Sequence, residues 1–120
     1  NIPYNGMTVV LNTQTDLLMV NPATEELIRD MMLEVIRVAN HMGLKQEIPE
    51  SYADEMLEMT RKMTPYSPSM KLDFDSHRPL EVEYIYSRPV LEAKKAGVEM
   101  TRVAMLEKQL RLINQQISGK

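Results

Sequence analysis

The chain has 120 residues, 43% of them apolar and 26% charged, with a formal net charge of -3. That size and balance give one domain with a real core and exclude wholesale disorder, while the negative charge disfavours non-specific nucleic-acid binding. The absence of cysteine excludes disulfides, thiolate catalysis and cysteine-based zinc sites, and no apolar run is long enough to span a bilayer, so a cytoplasmic protein without membrane contact is expected.

Eleven methionines, one phenylalanine and no tryptophan indicate an aliphatic, thioether-filled core. The chain opens on Asn1 rather than on an initiator methionine, so a fragment whose upstream partner is missing is expected. Pro3 to Leu11 reads as a short helix, in which Gly6 lowers propensity and makes tertiary packing necessary. Asn12 to Asp16 is polar and reads as a turn. In the longest helix Asn21 caps, Pro22 takes the first position, and Glu25 and Glu26 complement the dipole. Leu27, Met31, Val35, Val38 and Met42 recur at helical spacing until Gly43 stops it.

Pro49 and Ser51 open a helix carrying Met56, Met59 and Met63, ended by Thr64-Pro65. A short helix follows from Ser67, with Pro68 in its first turn. Arg78-Pro79 then breaks the chain ahead of a helix through Glu81, Val82, Ile85, Val90 and Ala93, closing at Gly97. Pro89 lies inside that pattern and predicts a kink. Thr101 is placed to cap the last helix, along which Val103, Leu106, Leu110, Ile113 and Ile117 form one stripe. The outcome is an all-α bundle of about six helices, about 70% helical, without strands or repeats.

Few residues stand out as chemical. The four glycines are scattered singly, so no Gly-rich phosphate loop is present, and His41 and His77 lack ligand-spaced companions. Asp73 and Asp75 belong to a charged turn, and Arg61-Lys62 to a wet helix face. Asn1 and Asn5, four positions apart, share a helical face and offer two carboxamides able to orient a carbonyl or hydroxyl. Ser69, in a helix start, offers a hydroxyl beside unpaired amides, a setting that favours anions. Glu81, in a second helix start, offers a carboxylate that accepts hydrogen bonds from hydroxyls. Spacing alone favours capping and turn roles for Asn1 and Asn5, and allows capping, solvent-facing and dipole roles for Ser69 and Glu81.

The stretch PYSPSMKLDFDSHRPLEVEYI resembles the C-terminal domain of ketopantoate reductases, a fold shared with 6-phosphogluconate dehydrogenase-like proteins. In that family a Ser-Met pair is followed, after an Asp and an Arg, by a Glu-led helix start. Ser69, Met70, Asp73, Arg78 and Glu81 keep that order and spacing. GVEMTRVAMLEKQL resembles the family's approach to its last helix, with Thr101 where proline is usual. NIPYNG resembles the end of the family's lysine-bearing helix, with Asn1 and Asn5 at its two asparagine positions.

The resemblance implies NADPH-dependent reduction of 2-dehydropantoate to (R)-pantoate, a step towards pantothenate and coenzyme A. By position, Asn1, Asn5 and Ser69 would bind substrate, and Glu81 would bind a substrate or cofactor hydroxyl. The proton-donating lysine would precede Asn1, so no catalytic residue is assigned in this chain. An N-terminal Rossmann domain would hold NADPH, leaving residues 1–120 as the helical, substrate-side domain. By itself this domain is expected to be inactive, to expose apolar surface on its first helix, and to form a homodimer there. A reductase of another branched 2-oxo acid, or a helical interaction module using Met56 and Met59, are the alternatives.

Overall fold

The computed structural model describes residues 2–43 and 46–118. Among them are seven α-helices and one π-helical turn, with no strand. They are α1 (Ile2–Val10), α2 (Thr15–Val20), α3 (Pro22–His41), α4 (Ser51–Lys62), α5 (Ser69–Asp75), α6 (Arg88–Lys95) and α7 (Thr101–Ser118). The π turn (Glu83–Ser87) runs directly into α6.

The bundle is arranged around α1. Every residue from Pro3 to Val9 is buried, and α1 packs against α2, α3, α5 and α7. Such a helix must be apolar on all sides, and IPYNGMTVV is so apart from Asn5 and Thr8. Thr8 returns its hydroxyl to the carbonyls of Tyr4 (2.8 Å) and Asn5 (3.0 Å), so its burial leaves no open donor. Of the apolar surface expected to be exposed on the first helix, the bundle itself covers Pro3 to Val9 and leaves Ile2 and Val10 partly exposed.

Gly6 permits this closeness. A Cβ there would lie 2.7 Å from Tyr86 Oη and closer still to Leu106 Cδ2, and both neighbours are essentially inaccessible to solvent. Tyr86 in turn donates its hydroxyl to the Ile2 carbonyl, fastening the π turn across the start of α1.

The start of α3 follows local rules. Asn21 Oδ1 accepts the Ala23 amide at 2.9 Å, Pro22 stands first, and Gly43 adopts φ 85° beyond the helix end. The start of α7 does not. The amides of Arg102 and Val103 donate to the carboxylate of Glu34 on α3, at 3.0 to 3.1 Å, and the Arg102 guanidinium joins it at 3.1 Å. A buried carboxylate from another helix thus does the work expected of Thr101, which is the first residue of α7 itself.

Two further expectations change. Thr15–Val20 is a helix rather than the end of a turn, because Thr15 and Leu18 find buried sites on its inner side. The kink expected at Pro89 is absorbed by the π turn just upstream, where the Arg88 amide donates to the Glu83 carbonyl. That wider turn accommodates a residue lacking an amide donor, whose ring would crowd the Ile85 carbonyl. At the end of α5, His77 takes the left-handed conformation (φ 57°) more usual for glycine.

Two predictions follow from the packing of α1. Gly6→Ala lowers stability by about 1–3 kcal/mol, because the added methyl meets fully packed side chains; urea unfolding of the two proteins measures it. Burial raises the ionisation of Tyr86 far above that of an ordinary phenol. Below about pH 10 both folded and unfolded states keep the proton, so this contribution is fully present there; above it only the unfolded state ionises, and stability is lost. Wild-type unfolding midpoints therefore fall more steeply between pH 9.5 and 11.5, roughly the phenol range, than those of Tyr86→Phe.

Candidate functional site

Between α4 and α5 the chain runs without regular structure from Met63 to Pro68. Pro65 and Pro68 hold it extended, and the residue before each is pushed away from helix. Its course is fixed from α2: the Thr15 amide and hydroxyl both lie 3.3 Å from the Tyr66 carbonyl, and the Tyr66 amide lies 3.4 Å from the Thr15 hydroxyl. Gln14 Nε2 donates to the Ser67 hydroxyl at 3.3 Å. Ser67 is thus engaged by α2's leading residue, and Pro68 stands at the N-cap position of α5 without a side-chain cap.

Asn5 takes over the capping. From the buried side of α1, its Oδ1 accepts the amide of Met70 at 3.2 Å. This sets Asn5 beside Ser69, the exposed first residue of α5. Together with Tyr4, Met63, Tyr66 and Pro68 they line a recess of about 270 Å³. Its walls offer hydroxyls, a carboxamide and a thioether, and no carboxylate, amine or imidazole. Burial raises the Tyr4 phenol above its ordinary range, partly offset by hydrogen bonding with Thr60, so it stays neutral at physiological pH. The recess can therefore hydrogen-bond and orient a ligand, including an anionic one, without repelling it.

The other site residues lie differently. Asn1 is outside the described residues. Glu81 is exposed and directly precedes the helical Val82, and its carbonyl accepts the Ile85 amide at 3.2 Å, so it stands at a helix start. Its position is set by Asn114 of α7, whose Oδ1 accepts the Leu80 amide at 2.8 Å, and by the Arg78–Asp73 ion pair at 3.0 Å. Glu81 does not line the recess of Asn5 and Ser69. Sequence reasoning missed Tyr4, Met63, Tyr66 and Thr15. A local signal exists only for Met63 and Tyr66, in the proline-marked run TPYSP and the residue before it, which announces an ordered segment without saying what anchors it.

A family model described as the ketopantoate reductase PanE/ApbA C terminal matches residues 1–114. The chain belongs to this family. Over 114 residues it is 45% identical to a 2-dehydropantoate 2-reductase of a Nostoc species, covering 95% of this chain and 35% of that one. It superposes on the crystal structure of the 2-dehydropantoate 2-reductase of Geobacter metallireducens with a TM-score of 0.91 at 39% identity, over 93% of this chain and 37% of the other. The dimeric ketopantoate reductase of Staphylococcus aureus gives a TM-score of 0.86 at 26% identity, over 98% and 40%. The chain thus spans about two fifths or less of these three relatives, and corresponds to the helical C-terminal part of a ketopantoate reductase.

Within that part Asn5 is as much a structural residue as a recess-lining one. Asn5→Ala leaves the Met70 amide without its acceptor and is expected to lower stability by about 1–3 kcal/mol. Amide hydrogen exchange at Met70 and Lys71 reads the loss, since protection there drops well below that of the same α5 amides in the wild type.

Proposed function

We propose that this chain is the substrate-side domain of an NADPH-dependent 2-dehydropantoate 2-reductase, an enzyme producing (R)-pantoate for pantothenate and coenzyme A synthesis. The observation that carries the reading is the meeting of Asn5 and Ser69, sixty-four residues apart in sequence, in one uncharged recess. Each stands at the family position that the sequence resemblance assigns to substrate binding. A cytoplasmic setting accords with this reading, and no helix among the described residues is long and apolar enough to cross a membrane.

In the proposed reaction a ketone carbon receives a hydride and its oxygen receives a proton. NADPH, when bound, supplies the hydride. The described glycines serve other ends, Gly6 in close packing and Gly43 and Gly97 at helix stops, so no phosphate cradle is offered here. The fit of this chain to the cofactor is limited to hydroxyl recognition by the exposed Glu81 carboxylate, and the rest falls to an N-terminal Rossmann domain. The proton comes from a lysine of that same longer protein. Ser69 donates its hydroxyl to the substrate carboxylate, Asn5 and Asn1 orient the carbonyl end, and Glu81 accepts a hydrogen bond from the substrate or cofactor hydroxyl. Pairing of two copies, as in the Staphylococcus aureus relative, would use surface outside the buried Pro3 to Val9 stretch of α1.

Kinetics of the full-length reductase carrying Ser69→Ala or Glu81→Ala provide the test. Each is expected to raise KM for 2-dehydropantoate at least about tenfold, the scale of one lost hydrogen bond to a charged group, with unchanged melting temperature. If Glu81 holds the substrate hydroxyl, its replacement penalises 2-dehydropantoate more than simple 2-oxo acids. Unaltered kinetics in both variants, or steady turnover by residues 1–120 alone, would refute the assignment.

A further inference from the structure

Met63 is the one side chain shared by two neighbouring recesses. On one side is the recess of about 270 Å³ that contains Asn5 and Ser69. On the other is a recess of about 380 Å³ lined by Met19, Val20 and Pro65 together with Thr15, Asp16, Thr60 and Arg61. The backbone of Met63 is fixed: it closes α4 in an extended conformation (φ -80°, ψ 154°), and its amide donates to the Thr60 carbonyl at 3.2 Å. The side chain is not fixed in the same way, since half of the residue faces solvent. A flexible thioether on an anchored backbone is suited to act as a movable partition.

The second recess has a character of its own. Arg61 is engaged by Glu25 and by Glu58, at 2.8 Å for the latter, so its charge is already matched by carboxylates. Beside the polar Thr15, Asp16 and Thr60, the recess offers apolar surface from Met19, Val20 and Pro65. Such a wall suits an aliphatic or aromatic tail, whereas the first recess offers the polar groups that would hold a carboxylate.

We infer that Met63 is a specificity-determining residue: it closes the substrate recess against the second, apolar one and so limits the length of the 2-oxo acid's side chain. The inference rests on the reductase reading above. Shortening Met63 joins the two spaces and admits 2-oxo acids with longer apolar tails, while the carboxylate keeps its contact at Ser69 and the carbonyl its contact at Asn5.

The test compares the full-length wild-type reductase with Met63→Ala, Met63→Val and Met63→Leu, using 2-dehydropantoate, 2-oxooctanoate and phenylpyruvate. Met63→Ala is expected to raise the kcat/KM ratio of 2-oxooctanoate to 2-dehydropantoate at least about tenfold, mostly through KM, because pocket size discriminates on that scale. Met63→Val gives an intermediate shift, so the trend is readable even where the alanine variant folds poorly. Met63→Leu, close in volume, stays within about threefold of wild type. Adding Val20→Trp to Met63→Ala removes the gain by refilling the second recess, at a position that is 77% exposed and tolerant of bulk. An unchanged or reduced ratio in folded Met63→Ala and Met63→Val overturns the inference while leaving the reductase reading intact. A wild-type enzyme that reduces none of the 2-oxo acids overturns both.

Discussion

Burial of α1 from Pro3 to Val9 is the constraint on which the rest of the structure depends. A helix enclosed on every side can bring a polar group to a site only where a partner satisfies that group, and Asn5 meets the requirement through the Met70 amide. The same enclosure needs a residue without a side chain where Tyr86 and Leu106 press closest, which is the place of Gly6. Site and core are therefore not separable: the contact that seats Asn5 beside Ser69 is also a contact that joins α1 to α5.

Two helix starts are capped from a distance, α5 by Asn5 and α7 by Glu34. Local capping would fix only where each helix begins. Capping by another helix also fixes where it lies relative to that neighbour, and partly buried charge–dipole contacts of this kind are among the stronger ones. In α7 the carboxylate of Glu34 is shared with the Arg102 side chain, so its charge is balanced as it is buried. Ser87 and Arg111 similarly satisfy the buried Glu107, tying the π turn to α7. With the Asn114–Leu80 bond, these crosslinks hold the segment bearing Glu81 to the same bundle that carries Ser69.

Legibility of the fold from sequence follows from how local each cause is. The start and stop of α3 are written within a few residues, in Asn21, Pro22 and Gly43, and the structure places all three as read. The apolar stripe of α7 is equally plain, with Val103, Leu106 and Leu110 buried. By contrast α2 is six residues long, too short to be stable by itself, and exists because Leu18 is almost completely buried by the rest of the bundle. The π turn and the Glu34 cap are likewise products of tertiary contact. For the site, the family resemblance pointed to Ser69, Asn5 and Glu81, but no spacing rule could reveal that Met63 and Tyr66, from the run between α4 and α5, meet Tyr4 of α1 to complete the recess.

A crystal structure of the full-length protein with pantoate bound tests the central claim most directly. The pantoate carboxylate should lie within hydrogen-bonding distance of Ser69 Oγ, with the Asn5 carboxamide in the same pocket wall. Pantoate seated on a surface that touches neither residue would contradict the assignment of this domain as the substrate wall.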